Sequence, residues 1–505
     1  MLLERVVATS AEVASTRSRL RKTAALAAVL ADAAPDEVRP VAAWLAGEML
    51  QGRTGIGWRT LTGLDVPPAD AATLTVGGVD AALDRLAGLA GSGTGVGARR
   101  TAELTALLGA ATVDEARFLV RLLGGELRQG ALEGLMVEAV ASAAAVPADA
   151  VRRAFMLSGR LPETAATALA PGDLEAGAAE LARVGLEVGR AVRPMLASPG
   201  DSLDAVLAEL GDDVVIEHKM DGARIQVHRR RDEVRVFTRS LRDITSSVPE
   251  VVALVLDLAV DTVVLDGESL AAREDGRPRP FQESMRAMGD GGLRPWFFDC
   301  LHRDGVDLVD EPLSVRRAIL AEVAPDRLMP GVERPTPEEA AEAVEESLTA
   351  GHEGSMVKAL DSVYAAGRRG RAWQKVKSAH TLDLVVLAVE SGSGRRSGLL
   401  SNIHLGARDP AGDGFVMIGK TFKGMTDATL AWQTDTFPRY ETHRSAHTLH
   451  LRPEIVVEIE LDGVQTSTRY PGGVALRFAR VVRYRDDKPA AEADTLDTVR
   501  ALLPG

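Results

Sequence analysis

The stretch Val214-Val215-Ile216-Glu217-His218-Lys219-Met220-Asp221-Gly222-Ala223-Arg224-Ile225-Gln226-Val227-His228 decides how this chain folds. Its first five residues form an apolar strand, and 223–228 alternate apolar and polar as a second strand does. Asp221 and Gly222 between them permit a tight turn. Lys219 therefore stands at a strand end, presented rather than buried, and Arg224 at the start of the next strand can point back toward the same pocket. Residues 233–237 alternate again after the polar run 229–232, so 223–237 is expected to form a hairpin. A lysine amine attacks phosphorus only when deprotonated. Its ordinary pKa is ~10.4, so such chemistry near neutrality needs nearby cations or desolvation. The four fixed residues of Lys-x-Asp-Gly-x-Arg arise by chance in roughly one chain per hundred of this length. Taken alone, the plain alternative is a surface hairpin with an exposed lysine.

Outward from this stretch, 262–270, 294–300 and 353–360 read as further strands, and 336–348 as a helix. Thr336 can cap that helix, and Pro337 suits its first turn. Lys375 and Lys377 lie two apart on a strand, so both face one side. Two such cations suit a phosphate and would ease deprotonation of Lys219. Glu268 and Glu353 come from different strands, which suits a magnesium ion held by few carboxylates plus phosphate oxygens. In isolation a lone Glu after a strand is usually solvated and a buried Phe is usually core. Residues 191–378 are expected to form an α+β domain. Residues 1–190 read as helical. Val41, Trp44, Leu45 and Met49 share a face, as do Leu132, Leu135, Met136, Ala139 and Val140. Thr112 with Glu115 is a capping box. The glycine-rich run 88–100 lacks the Gly-Lys-Ser/Thr of a phosphate loop and reads as a flexible linker. Residues 379–505 hold short strands between Gly- and Asp-rich turns, as in a small barrel.

At ~150 residues per domain, 505 residues predict about three domains. No run of 18 apolar residues predicts a membrane span, and charges within the first turns make a poor secretory signal. Cys300 is the only cysteine, which excludes an internal disulfide and a four-cysteine zinc site and fits a cytoplasmic setting. A net charge of −13 argues mildly against a nucleic-acid partner. Phosphates respond to local patches, however, and Arg and Lys crowd into 219–242, 368–377 and 477–488.

An ordered set of segments follows the lysine. They are Phe237-Thr238-Arg239-Ser240, Leu265-Asp266-Gly267-Glu268, Trp296-Phe297-Phe298-Asp299, Glu353-Gly354-Ser355-Met356-Val357-Lys358 and Trp373-Gln374-Lys375-Val376-Lys377. The set resembles the nucleotidyltransferases that ligate nucleic acid or cap RNA. Ala475–Lys488 is similar to the terminal motif of replicative-type ATP-dependent DNA ligases, and Gly394-Arg395-Arg396 and Gly419–Gly424 also fit their barrel. Leu127-Arg128-Gln129-Gly130 and Arg193–Ala197 resemble the helical DNA-binding domain of the archaeal and eukaryotic type, here in a bacterial member. The resemblance implies three parts: an all-α DNA-binding domain (1–190), an α+β adenylation domain (191–378) and an OB-fold β-barrel (379–505). It implies ATP and Mg2+, with Mn2+ as a substitute, and nicked duplex DNA bound without sequence readout. Lys219 would be the nucleophile. Glu217 and Phe298 would hold adenine, and Arg224, Arg239, Arg371, Lys375 and Lys377 would contact phosphates or ribose. Glu268 would bind ribose and metal, and Glu353 metal. Arg485 and Lys488 would orient the leaving pyrophosphate. A nucleoid-associated monomer is expected. An RNA ligase or capping guanylyltransferase is the nearest rival and a non-catalytic DNA-binding scaffold the remoter one, though a scaffold has no need of Lys219 with two metal carboxylates.

Overall fold

The computed structural model describes residues 1–503 except 53–55, 58–59, 62, 65, 90–93, 128, 130–132, 171–173, 272–292, 367–369, 378–379, 394–395 and 413. Arg128, Gly130, Leu132, Gly394 and Arg395, singled out above, lie outside the described residues.

The N-terminal region is helical, from Leu3–Ser15 to Leu174–Ala182. Its helices bury one continuous core in which Val41, Trp44 and Leu45 meet Leu26, Leu30, Met136 and Val140. Thr112 and Glu115 make the reciprocal capping box that opens Val113–Leu123. The flexible linker expected over 88–100 is corrected in part. Helix Val76–Gly88 ends there, but Thr94–Gly109 is already helical. Its glycines only lower helix propensity, by about 1 kcal/mol each, and their turns extend a helix anchored further on by buried Leu104, Leu107 and Leu108.

The centre is built on two five-stranded sheets. The first runs in the order Ser198–Pro199, Trp373–Lys377, Gly354–Ala359, Val214–His218, Gly331–Glu333. The second runs Glu233–Thr238, Ala223–Arg230, Thr262–Ala271, Leu293–Arg303, Val306–Asp307. The opening stretch is thus the crossing from one sheet to the other, and Lys219–Gly222 is the bridge. Gly222 is required there because a Cβ would lie 2.5 Å from the Ser269 carbonyl oxygen. The hairpin turn is shorter than the run 229–232. Arg230 pairs with Glu233, so only Arg231 and Asp232 turn, and Arg231 takes φ 55°. Helix Pro337–Thr349, capped by Thr336 and Glu339, packs Ala340 and Ala343 on Val214, Ile216 and Val357 of the first sheet. Helices Pro249–Leu256 and Leu313–Val323 cover the second.

After 379, a seven-stranded antiparallel sheet curls around its own core, with Leu384, Ile403, Ile418, Phe437 and Ile459 inside. The long strand His380–Ser391 pairs with Leu400–Arg408 on one side. On the other it pairs with both Thr448–Leu451 and Val456–Leu461. The segment 475–485 is two strands, Val474–Arg477 and Arg480–Tyr484, which pair with different partners. Phe478, at φ 54°, makes the break.

The helical and central regions share a buried joint of Met156, Leu157, Val192, Met195, Val264, Tyr364 and Trp373. Among the described residues no helix is long and apolar enough to cross a membrane.

Candidate active site

A cleft of about 880 Å3 opens between the two central sheets and is closed on one side by Arg477 and Phe478 from the C-terminal region. Lys219 is fixed in it by backbone pairing. Its N–H donates to the Gly354 carbonyl at 2.9 Å, and its own carbonyl accepts from the Glu353 N–H at 3.1 Å. Strand Val214–His218 pairs antiparallel with Gly354–Ala359, so this ladder runs one step beyond the strand and brings Glu353 beside the lysine. The Lys219 ammonium is ion-paired with Glu353. Gly354 needs its freedom, since φ is +139° and a Cβ would sit 2.3 Å from the Val376 carbonyl oxygen.

Lys375 and Lys377 both reach the cleft, as alternation predicts. Lys377 sits 3.2 Å from Glu353 and 2.6 Å from Asp462. Burial, helped by Lys377 and Lys219, pushes the Lys375 ammonium down from its ordinary value. Burial works to raise the Glu353 carboxyl, but Lys219 and Lys377 outweigh it and hold the group below the usual range. Burial dominates at Glu268, whose carboxyl is pushed up to about 7 against the pull of Arg224 and Lys219. Glu268 and Glu353 face one cleft from different sheets. Two hard oxygen donors suit a magnesium ion that keeps water and phosphate in its remaining positions. Among the described residues there is no cluster of three or more His, Cys, Asp or Glu that could enclose an ion alone.

Arg224 lines the cleft while its guanidinium is bidentate to buried Asp266, at 3.0 and 2.7 Å. Asp266 also accepts from the Tyr364 hydroxyl at 2.6 Å. Phe298 forms one wall, edge-on to Trp373 at 6.0 Å, with the Lys358 ammonium 4.3 Å from its ring centre. Glu217 lines the cleft yet is 1% exposed. Arg239 lines the cleft and is exposed.

Three residues singled out from sequence do not reach the cleft in this arrangement. Arg371 is exposed and ion-paired with Glu209. Arg485 and Lys488 both bind Asp383, at 3.0 and 2.8 Å, within the C-terminal region. Arg477 comes in their stead, 2.6 Å from Asp221 and 3.3 Å from Glu353. Asp221, Asp266, Arg317, Tyr364, Asp462 and Arg477 were not among the expected site residues. Only the two aspartates beside motif glycines and Arg477 carried a sequence signal.

The chain is similar to known proteins along its length. Residues 194–377 match the family described as ATP dependent DNA ligase domain, 396–488 the ATP dependent DNA ligase C terminal region, and 65–141 the DNA ligase N terminus. A protein of Rhodococcus jostii (strain RHA1) called "Probable DNA ligase" is 59% identical over 510 residues, covering 100% of both chains. One of Saccharopolyspora erythraea with the same name is 60% identical, covering 99% of this chain and 98% of that one. The solved structure Pmar-Lig_PreS3 superposes with a TM-score of 0.61 at 18% identity, over 95% of this chain and 99% of that one, which speaks for the fold alone. A lysine held among paired cations and two carboxylates, on a chain matched along its whole length, is accounted for by one conclusion: this protein belongs to the bacterial ATP-dependent DNA ligases.

Proposed function

We propose that this ligase seals nicks in duplex DNA through a covalent Lys219–AMP intermediate. The observation that carries the reading is the convergence on Lys219 of Glu353, Lys375, Lys377 and Glu268 from two different sheets. In the first step the Lys219 Nζ attacks the α-phosphorus of ATP. A P–N bond forms, the bond to the β-phosphate oxygen breaks, and pyrophosphate and the amine proton leave. In the second step a 5′-phosphate oxygen of the nick displaces the lysine, which recovers a proton. In the third step the 3′-hydroxyl attacks that 5′-phosphorus and AMP departs.

Lys375 and Lys377 would neutralise phosphate charge, which with positioning supplies most of the catalysis in such transfers. Glu353, ion-paired with the Lys219 ammonium, would hold the nucleophile in place until ATP binds and the amine gives up its proton. Glu217 and Phe298 would hold the base, and Arg224 and Arg239 the ribose or phosphates. A magnesium or manganese ion on Glu268 and Glu353 would add charge neutralisation at the phosphates.

Residues 1–190 are read as the DNA-binding domain, 191–378 as the adenylation domain and 379–505 as an OB-fold that closes over the cleft. DNA would be gripped through its backbone, so binding should weaken steeply with salt. A cytoplasmic monomer working at the nucleoid fits that substrate. Intact-mass measurement after incubation with ATP and Mg2+ tests the reading. Wild type should gain one AMP and Lys219→Ala none. No adduct on wild type first stripped with pyrophosphate would overturn it.

A further inference from the structure

Strand Glu233–Thr238 is an edge of the second central sheet, and the turn 238–242 that follows it borders the cleft. Besides Arg239, this turn carries residues that the reaction steps leave unused. It is tightly built. The Thr238 N–H donates to the Arg242 carbonyl at 2.9 Å and the Leu241 N–H to the Thr238 carbonyl at 2.8 Å. The Arg242 N–H donates to the Thr238 Oγ1 at 3.2 Å. Leu241 takes φ 63°, a left-handed conformation that a bulky side chain rarely adopts. Packing on the helical region holds it there. A Cβ on Gly159, which ends helix Ala148–Ser158, would lie 3.3 Å from the Leu241 Cδ1. The cleft rim is thus fastened to the region read as DNA-binding.

Arg239, Ser240 and Arg242 line the cleft and are exposed. Lys219, Arg224, Lys377 and Arg477, less exposed, each meet a carboxylate. Among the described residues Arg239 and Arg242 meet none. The neighbouring Asp243 is turned to Thr245, accepting from its N–H at 2.9 Å and its hydroxyl at 2.6 Å. A guanidinium without a counter-charge has its fork of donors open to phosphate oxygens.

We propose that Arg242 binds an internucleotide phosphate of the strand that carries the nick's 5′-phosphate, and that Leu241 is the positioning residue that aims it. This rests on the reading of the cleft as a ligase active site. The 5′-phosphate must reach the AMP held at Lys219, so its own strand crosses the rim behind it. Its first internucleotide phosphates are the next negative charges along that path. Arg239, in the same turn, is read as meeting the reacting phosphates. Arg242, three residues on and nearer the helical region through Leu241, meets the phosphate that follows. Such a contact fixes the register of the strand and carries no sequence information, as nick sealing requires. The strained Leu241 matters because it turns Arg242 to the rim while its side chain fastens the turn.

The test removes phosphate charges one at a time. Nicked duplexes carry a single neutral methylphosphonate at one of the first internucleotide linkages of the 5′-phosphate strand or, in a second series, of the 3′-hydroxyl strand. For wild type, one linkage of the first series should raise the sealing KM at least about tenfold, the worth of a hydrogen bond between charged groups. Arg242→Ala should raise KM for the unmodified nick by a similar factor, keep kcat within about twofold, and be indifferent to that linkage. Its DNA binding should lose about one unit of salt slope. Arg242→Lys should restore part of the KM. AMP-adduct formation with ATP alone should stay at the wild-type rate, because the contact is made to DNA. Leu241→Ala should lose the same linkage effect, whereas a lower melting temperature with a wild-type linkage scan would overturn its positioning role. An unchanged KM in Arg242→Ala, a linkage effect equal in both proteins, or sensitivity confined to the 3′-hydroxyl strand would overturn the proposal. Slower adduct formation in Arg242→Ala would place the residue on ATP and overturn it too. Absence of any adduct on wild type would overturn the active-site reading beneath it, a result distinct from all of these.

Discussion

At the scale of single residues, burial and pairing set two carboxylates apart in one cleft. Glu353, engaged by Lys219, Lys377 and Arg477, lies below its ordinary pKa, while Glu268 is pushed up to about 7. The raised group binds its proton more tightly in the folded chain than at its ordinary 4.5. Its stabilising contribution is therefore full below about 4.5 and is lost as pH rises through about 7. In metal-free buffer the melting temperature of wild type should fall more between pH 6 and 8 than that of Glu268→Gln. Equal slopes would show that the carboxyl titrates elsewhere. Adenylation should run the other way and decline as pH drops below 7, because a protonated Glu268 is a poor ligand for a cation. The sequence marks both carboxylates by their motifs, but not their different charge states. Those depend on how deeply the fold buries each group and which charges it sets around it.

At the scale of elements, the first central sheet holds Lys219 through a ladder, and the ladder depends on Gly354. Gly354→Ala would drive a methyl into the Val376 carbonyl and force an unfavourable φ. It should lower the rate of AMP-adduct formation at least about tenfold and also lower the melting temperature. Thr336→Ala removes a cap at the far end of the neighbouring helix Pro337–Thr349. That should cost about 1 kcal/mol in urea unfolding while adduct formation stays at the wild-type rate. A Gly354→Ala protein that adenylates normally would mean the ladder does not position Lys219. The Thr112 capping box, the Thr336 cap and the strands on either side of Lys219 were legible from local residue patterns, while the placement of those strands in different sheets was not. The helix from Thr94 was not, because its exposed, glycine-bearing first turns extend a helix anchored by Leu104, Leu107 and Leu108 further along.

At the scale of the molecule, the C-terminal region reaches the cleft through few charged contacts. Arg477 pairs with Asp221 and Glu353, and Asp462 with Lys377, all partly exposed. Pairs of that kind contribute at most about 1 kcal/mol each. If the proposed reaction holds, nucleotide phosphates exchange for them. Arg477→Ala should slow AMP-adduct formation at least about tenfold yet leave sealing of a pre-adenylated nick within about threefold, as expected of charge stabilisation confined to one step. Parallel loss in both assays would mean that Arg477 merely supports the closed arrangement. Sequence by itself determined the helical and strand-rich stretches, the turn at Asp221-Gly222 and the residue types expected to bear the chemistry. These follow from periodicity, turn preferences and motif spacing, which act over a few residues. Only the tertiary structure decided that Arg477 meets the cleft while Arg485 and Lys488 turn to Asp383, and that Arg317 stands behind Glu217. Those pairings join residues 256, 102, 105 and 100 positions apart. No local pattern encodes them, because a buried charge is matched by whichever partner the packed sheets and helices bring within reach.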